Sequence, residues 1–396
     1  MHLISLAEDA LAKLRWAAVA ALAAVVFLQP AVALAGSREQ AKRLHDRLAS
    51  VPPTEAVLAS MAADIDAGRP LDAANTAMQN RAFYDVTLKN FAMPWTNRDQ
   101  TVFAPLNDYV ATVIGVVRDD LGFDRVLYDD ILYVGRSGLG APAYSPANND
   151  HYAALEAQGV NLMDGLVQTP QSSASGLPPE ATAGVMTSRA AAQAFFIAGT
   201  NRAMLRFTLI NHLCRDLEQV SDTTRPPDRV RQDVSRSPGG DSRLFLNNCV
   251  GCHAGMDPLV QAFAYHDWDE AAGRMVYTAG VVRPKYFNNK DTFHAGYSTP
   301  DDHWDNYWRK GRNTLLGWDS ALPGSGQGAK SLGRELSHTD AFAGCQVQKV
   351  FRNVCFRDPS DAQDRAKVQA MVGSFKSSGY KLKRVFAEAA TYCMGE

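Results

Sequence analysis

Residues 249–253 read Cys-Val-Gly-Cys-His. Two thiols three positions apart, followed at once by an imidazole, have the spacing of the attachment signature of c-type haem. On a helical turn the thiols reach the two vinyl groups of one porphyrin, and the imidazole is delivered to the iron as proximal ligand. The signature therefore predicts one covalent haem c on Cys249 and Cys252, with His253 on the iron. A redox Cys-x-x-Cys would follow a strand in a βαβ unit, and nothing before Asn247 reads that way. A zinc site would need a second close-spaced pair of ligands, and no other Cys-x₂₋₄-Cys or His-x₃₋₅-His occurs.

The opposite face of the iron decides the chemistry. A Met or His there gives a closed electron carrier, whereas an open position permits peroxide or oxygen chemistry. Met256, three residues from His253, cannot reach that face and is expected to pack beneath the motif helix. The other candidates are His266, Met275, His294 and His303, with Met371 and Met394 further along. Met275 is placed first because Arg274 beside it suits a bidentate contact with a haem propionate. An unusual density of aromatics follows the motif: Tyr286, Phe287, Phe293, Tyr297, Trp304, Tyr307, Trp308 and Trp318. It reads equally as ordinary core or as a wall around a porphyrin.

These residues need positioning elements and a suitable compartment. Lys13 and Arg15 precede an apolar run from Trp16 to Leu28, then Pro30 and Ala33-Leu34-Ala35, the pattern of a cleaved export signal. That run is too short to span a bilayer comfortably. Glu8-Asp9 and Trp16 leave an uncleaved N-terminal anchor as the alternative. A periplasmic location follows, which agrees with covalent haem. It also permits disulfides among Cys214, Cys345, Cys355 and Cys393. Cys345 and Cys355 fall on one expected helix, Phe342 to Phe356, about 15 Å apart, too far to bond each other. The favoured pairing is Cys214–Cys345 with Cys355–Cys393.

The 396 residues are 46% hydrophobic and 21% charged with a net charge of −2, a globular composition without the footprint of a nucleic-acid binder. Helical periodicity dominates and strand alternation is scarce, so the fold class is mainly α. Ser37 with Gln40 suggests a capping box opening one helix, and Thr54 caps a second running to Gly68. Asp72 to Phe91, a long helix ending at Asp120, Ala190 to Phe196 and Met204 to Leu217 are further helical stretches. Val126 to Val134 reads as helix or strand. Gln168 to Pro179 reads as a linker or exposed loop, and Pro300-Asp301-Asp302 as a helix start. Gly324 to Ser331 nearly spells a phosphate-binding loop, but Ala329 replaces the required glycine and no apolar strand precedes it, so a flexible loop is expected. The organisation expected is an export signal (1–35), a multi-helix N-terminal region (36–222), a cytochrome c-like haem domain (223–335) and a small C-terminal helical domain (336–396).

Several segments together resemble an exported cytochrome-like family of unknown function, described largely from planctomycete and marine bacterial proteins. They are Cys249-x-x-Cys252-His253-x-x-Met256-Asp257-Pro258, Ala262-Phe263 and Gly273-Arg274, with Gly184 to Arg189 and Asn211 to Cys214 upstream. Phe123 to Tyr133, Asn149, His151-Tyr152 and Phe342 to Cys345 extend the likeness. The family's usual Leu-Gly-Arg close after the C-terminal cysteine is replaced by Asn353-Val354-Cys355-Phe356. The resemblance implies an exported, mostly helical multidomain haem c protein but names no reaction. The expected function is single-electron transfer with a partner protein. The alternatives are a peroxidase- or oxygenase-like haem enzyme and a partner-binding module with accessory haem.

Overall fold

The computed structural model describes residues 35–196, 201–230, 242–284 and 297–395. The fold is mainly α. Its principal helices are α1 (Ser37–Ala49), α2 (Glu55–Asp66), α3 (Pro70–Ala77), α4 (Asp108–Arg118), α5 (Asp150–Ala157) and α6 (Arg189–Phe195). They continue as α7 (Arg202–Thr208), α8 (Val250–Val260), α9 (Gly328–Ser337), α10 (Asp340–Cys355), α11 (Ala362–Ser377) and α12 (Leu382–Cys393). Three two-stranded antiparallel ribbons are interspersed: β1 (Leu132–Gly135) with β2 (Leu166–Thr169), β3 (His266–Asp269) with β4 (Arg274–Tyr277), and β5 (His303–Asp305) with β6 (Ser325–Gln327). Among the described residues, no helix is long and apolar enough to cross a membrane. Residues 1–34 of the expected export signal lie outside the described residues.

Local chemistry explains most of the helix starts. Thr54 Oγ1 accepts from Val57 N at the head of α2, Asn107 from Val110 N at α4, and Thr339 from Phe342 N at α10. The expected capping box at Ser37 does not form. Gly36 is the N-cap without a side-chain bond, and Gln40 Nε2 instead donates to Gly395 O at the far end of the chain. Asp72 to Phe91 is not one helix either: α3 ends at Ala77, and a π-helical turn, Phe83–Leu88, follows.

Three loop assignments also change. Gln168 to Pro179 contains the end of β2 and a short helix, Gln171–Ser175, whose buried Gln171 donates to Gly184 O, so it is anchored rather than free. Pro300 to Asp302 leads into strand β5, not a helix, because Asp301 Oδ1 accepts from His303 N and turns the chain there. Gly324 to Ser331 forms strand β6 and the first turn of α9. Ser331 Oγ donates back to Gln327 O and accepts from Trp304 Nε1, which orders the stretch expected to be flexible.

One continuous apolar core runs from Ala41 through Val110, Phe195, Met256 and Trp308 to Ala390. It crosses both of the domain boundaries expected at 222 and 335, so those three stretches share a core. The C-terminal helices reach back to the beginning of the chain: α12 packs on α1 and α3, and Arg47 Nη1 donates to Val354 O. Two disulfides complete this arrangement, Cys214–Cys345 and Cys355–Cys393, with Cα separations of 5.3 and 5.5 Å. They are the pairs favoured above.

Cys214–Cys345 spans 131 residues. Closing so long a loop removes on the order of 5 kcal/mol of unfolded-chain entropy in the simplest account, with about 2–4 kcal/mol typical in practice. A C214S/C345S double variant is expected to lose stability of that order, seen as a lower denaturant midpoint with an unchanged helical circular-dichroism spectrum.

Candidate haem-attachment site

The motif opens a helix in an unusual way. A short helical turn, Ser242–Leu244, widens into a π-helical turn over Phe245–Cys249, and regular α8 begins at Val250. Such widened turns insert one residue into the helical ladder and recur at functional sites. Here the insertion ends on Cys249. Cys249 packs against a small apolar cluster of Val230, Phe245, Val250 and Ala254. Cys252 lies on the other flank, its Sγ 3.4 Å from Leu217 O.

Neither thiol is in a disulfide, and both are partly exposed. Burial pushes the Cys252 thiol above its ordinary value, opposite to what an activated redox cysteine requires. Among the described residues no set of three His, Cys, Asp or Glu side chains is grouped to hold a metal ion.

At a hundred degrees per residue, His253 and Asp257 share one face of α8, while Gly251 and Gly255 share the opposite one. On the first face His253 Nδ1 lies 3.1 Å from Asp257 Oδ1. Asp257 is fully buried and held by a two-pronged contact with Arg202, Nε to Oδ1 at 2.7 Å and Nη2 to Oδ2 at 2.8 Å. Burial alone would raise the Asp257 carboxyl, but the Arg202 guanidinium and the His253 imidazole together hold it well below the carboxylate range. An ionised carboxylate only accepts hydrogen bonds, so the proton of the neutral imidazole is on Nδ1. Nε2 then carries a lone pair, which is the arrangement metal-ligating histidines adopt. The Phe245 ring lies 5.9 Å from the imidazole.

Arg202 is itself well placed. It begins α7, whose N-cap Asn201 takes up a positive φ of 61° and donates from Nδ2 to both Phe263 O and His266 O, each at 3.1 Å. The start of α7 is thereby tied to the chain that follows α8. The residues present thus fit a covalent haem: two unpaired thiols on neighbouring turns, and one imidazole with a fixed tautomer.

The glycine face does structural work. A Cβ on Gly255 would overlap the indole of Trp308, which is fully buried, and one on Gly251 would overlap Ser221 Oγ. Trp308 therefore lies against the side of α8 away from His253, as core. Trp304 donates to Ser331 Oγ, and Trp318 Nε1 donates to Trp308 O and Asn313 O, so these tryptophans also brace the fold. Tyr286, Phe287 and Phe293 lie outside the described residues.

The remaining expected site residues are scattered. Met256 is buried in the core, as expected for a packing residue. Met275 is buried on β4, opposite Trp268 of β3, and this ribbon packs on α6. Arg274 beside it is exposed. Neither has a hydrogen bond, ion pair or ring contact with His253. His266, one of the candidates for the opposite iron face, is buried with Nε2 bonded to Ala181 O at 2.9 Å. His303 sits 3.5 Å from Asp305 Oδ2. Met371 is in the core, and the Met394 carbonyl accepts from Arg43. His294 lies outside the described residues. The contributors that sequence reasoning missed are Asp257 and Arg202. The four-residue step from His253 to Asp257 was readable as one helix face, whereas Arg202, 55 residues away, carried no local signal.

No family model, curated protein sequence or solved structure matches the chain.

The two faces of α8 give a paired test. G255A forces a methyl into Trp308 and is expected to cost about 1–3 kcal/mol or more. G344A, in helix α10 with open space around it, is expected to be neutral or stabilising by about 0.5–1 kcal/mol. Chemical denaturation of both variants checks the contrast.

Proposed function

We propose that this chain is an exported monohaem c-type protein that passes single electrons to or from a partner protein. The observation that carries the proposal is the geometry of 249–257: free thiols at Cys249 and Cys252, and a His253 imidazole whose Nδ1–H is engaged by the buried Asp257 carboxylate. A bound haem would supply a one-electron iron couple at this place. Cys249 and Cys252 would hold it covalently, and His253 Nε2 would be its proximal ligand. The apolar Val230, Phe245 and Ala254 beside the motif keep water from that edge. Asp257 fixes the imidazole's orientation and makes it a stronger electron donor than a histidine bonded to a carbonyl. Arg202 supplies the countercharge that lets the carboxylate stay ionised while buried.

The direct test is covalent attachment. Haem staining on a denaturing gel is expected for the parent protein and absent from C249A/C252A. Staining that survives the double substitution would overturn the proposal.

The same carboxylate also favours a second reading, a haem enzyme, because a strongly donating proximal imidazole supports peroxide chemistry when the opposite iron face is open. Carbon monoxide separates the two: a spectrum it leaves unmoved supports the carrier, and prompt binding supports the enzyme. D257N keeps an oxygen acceptor near Nδ1 but removes the charge. It is expected to raise the midpoint potential by on the order of 50–100 mV, since a charge-assisted hydrogen bond carries about 1.5–3 kcal/mol and only part of it differs between oxidation states. Spectroelectrochemistry of parent and variant measures the shift; an unchanged potential would show that Asp257 has only a structural role.

A further inference from the structure

One cavity in the described molecule lies outside the site described above. It has a volume of about 740 Å³ and is lined by side chains from the turn around Trp95, from residues 210–219 and from the last half of α10. At its wall lies the partly buried Lys349, with Nζ donating to Asn211 O and sitting 4.4 Å from the centre of the Trp95 ring. No carboxylate lies within ion-pair distance of Lys349 among the described residues. Arg215 and Arg352 also line the cavity. Among the described residues Arg215 donates only to the neighbouring Cys214 O, and Arg352 has an exposed surface pair with Asp358. Asp216 is the single acid in the lining, and its carboxylate is gripped on both oxygens by Arg206. The cavity therefore presents positive charge without a matching negative one, and a buried ammonium is costly unless paired.

We propose that this cavity binds a small organic carboxylate, with Lys349 Nζ as its countercharge and Arg215 and Arg352 at the rim. The volume lies in the range of small-molecule sites, so an inorganic ion would leave most of it filled with water. Five carboxamide side chains in the lining, Gln219 and Gln348 among them, offer both donors and acceptors to the rest of such a molecule. The site is also joined to the motif. Residues 215, 216 and 219 face the cavity, while Leu217 O, between them, meets the Cys252 thiol. Occupancy of the cavity bears directly on the segment that backs one attachment thiol.

The protonation of Lys349 gives the site a signature. Burial, with a smaller contribution from Arg352, lowers its ammonium to about 7. The other charged groups facing it are Arg215 and the Arg206-bound Asp216. His212 behind it is held neutral, since burial drives its imidazole well below the ordinary value. A bound carboxylate raises the Lys349 value. Below about pH 7 the amine is already charged and affinity is flat with respect to it. Above that, each binding event takes up a proton and affinity falls, up to tenfold per pH unit.

Titration calorimetry on the purified full chain tests this, with benzoate, phthalate and citrate as probes and sulfate as the inorganic comparison. Saturable binding of at least one carboxylate is expected, with about one proton taken up near pH 8 and about none near pH 6, read from heats in buffers of different ionisation enthalpy. K349M should weaken that binding at least tenfold, and K349R should retain it. Three outcomes would overturn the proposal: no heat from any carboxylate at millimolar concentration, sulfate binding as tightly as the best carboxylate, or K349M binding like the parent. If K349M does not fold, the proton count and K349R decide the question without it.

Discussion

The fully buried carboxylate of Asp257 is the group that most constrains this molecule. A charge removed from water has to be compensated in place, and loss of one partner from such a pair costs about 3–5 kcal/mol because the other is stranded. Here the compensation comes from two directions. Arg202 approaches from α7 with two parallel hydrogen bonds, and His253 approaches from one turn earlier on α8. The first contact clamps two helices together, and the second sets the tautomer of the one imidazole in the motif. Fold stability and the readiness of Nε2 to bind a metal thus rest on the same two oxygen atoms.

Helix α8 can serve both purposes because its faces are segregated. Gly251 and Gly255, four residues apart, remove side-chain bulk where Ser221 and Trp308 press closest. His253 and Asp257, also four apart, occupy the opposite side. With a larger residue at 255 the helix would have to move off Trp308, and Asp257 would move relative to Arg202. The rigid packing on one face is what holds the hydrogen-bond geometry on the other, since a close-packed interior transmits displacement instead of absorbing it.

What the sequence revealed and what it concealed follow from range. Features set within a few residues were legible: the mainly α character, the Thr54 helix start and the burial of Met256. The disulfide pairs were partly legible: ten helical residues hold Cys345 and Cys355 too far apart to bond, which left two pairings, of which the structure has Cys214–Cys345 with Cys355–Cys393. Features set by tertiary partners were not. Gln40 had the spacing of a capping residue but is claimed by Gly395 O at the other terminus. Gly324 to Ser331 looked flexible because its glycines permit many conformations, yet Trp304 and the β5–β6 pairing select one. Pro300 to Asp302 looked like a helix start, and the pairing of β5 overrode it. Arg202, the partner that makes Asp257 intelligible, lies in a helix whose own sequence shows only ordinary amphipathic spacing.

The six cysteines divide by the same logic. Four are held as two pairs by helices that position their Cα atoms 5.3 and 5.5 Å apart. The other two lie on the turns before and within α8 and stay unpaired. Cys214 bears on both. Its bond to Cys345 pins the start of the 214–222 segment to α10, and three residues later Leu217 O meets the Cys252 thiol, while Asp222 N donates to Gly251 O. The disulfide therefore fixes the backbone that lies against α8 and the Cys252 thiol.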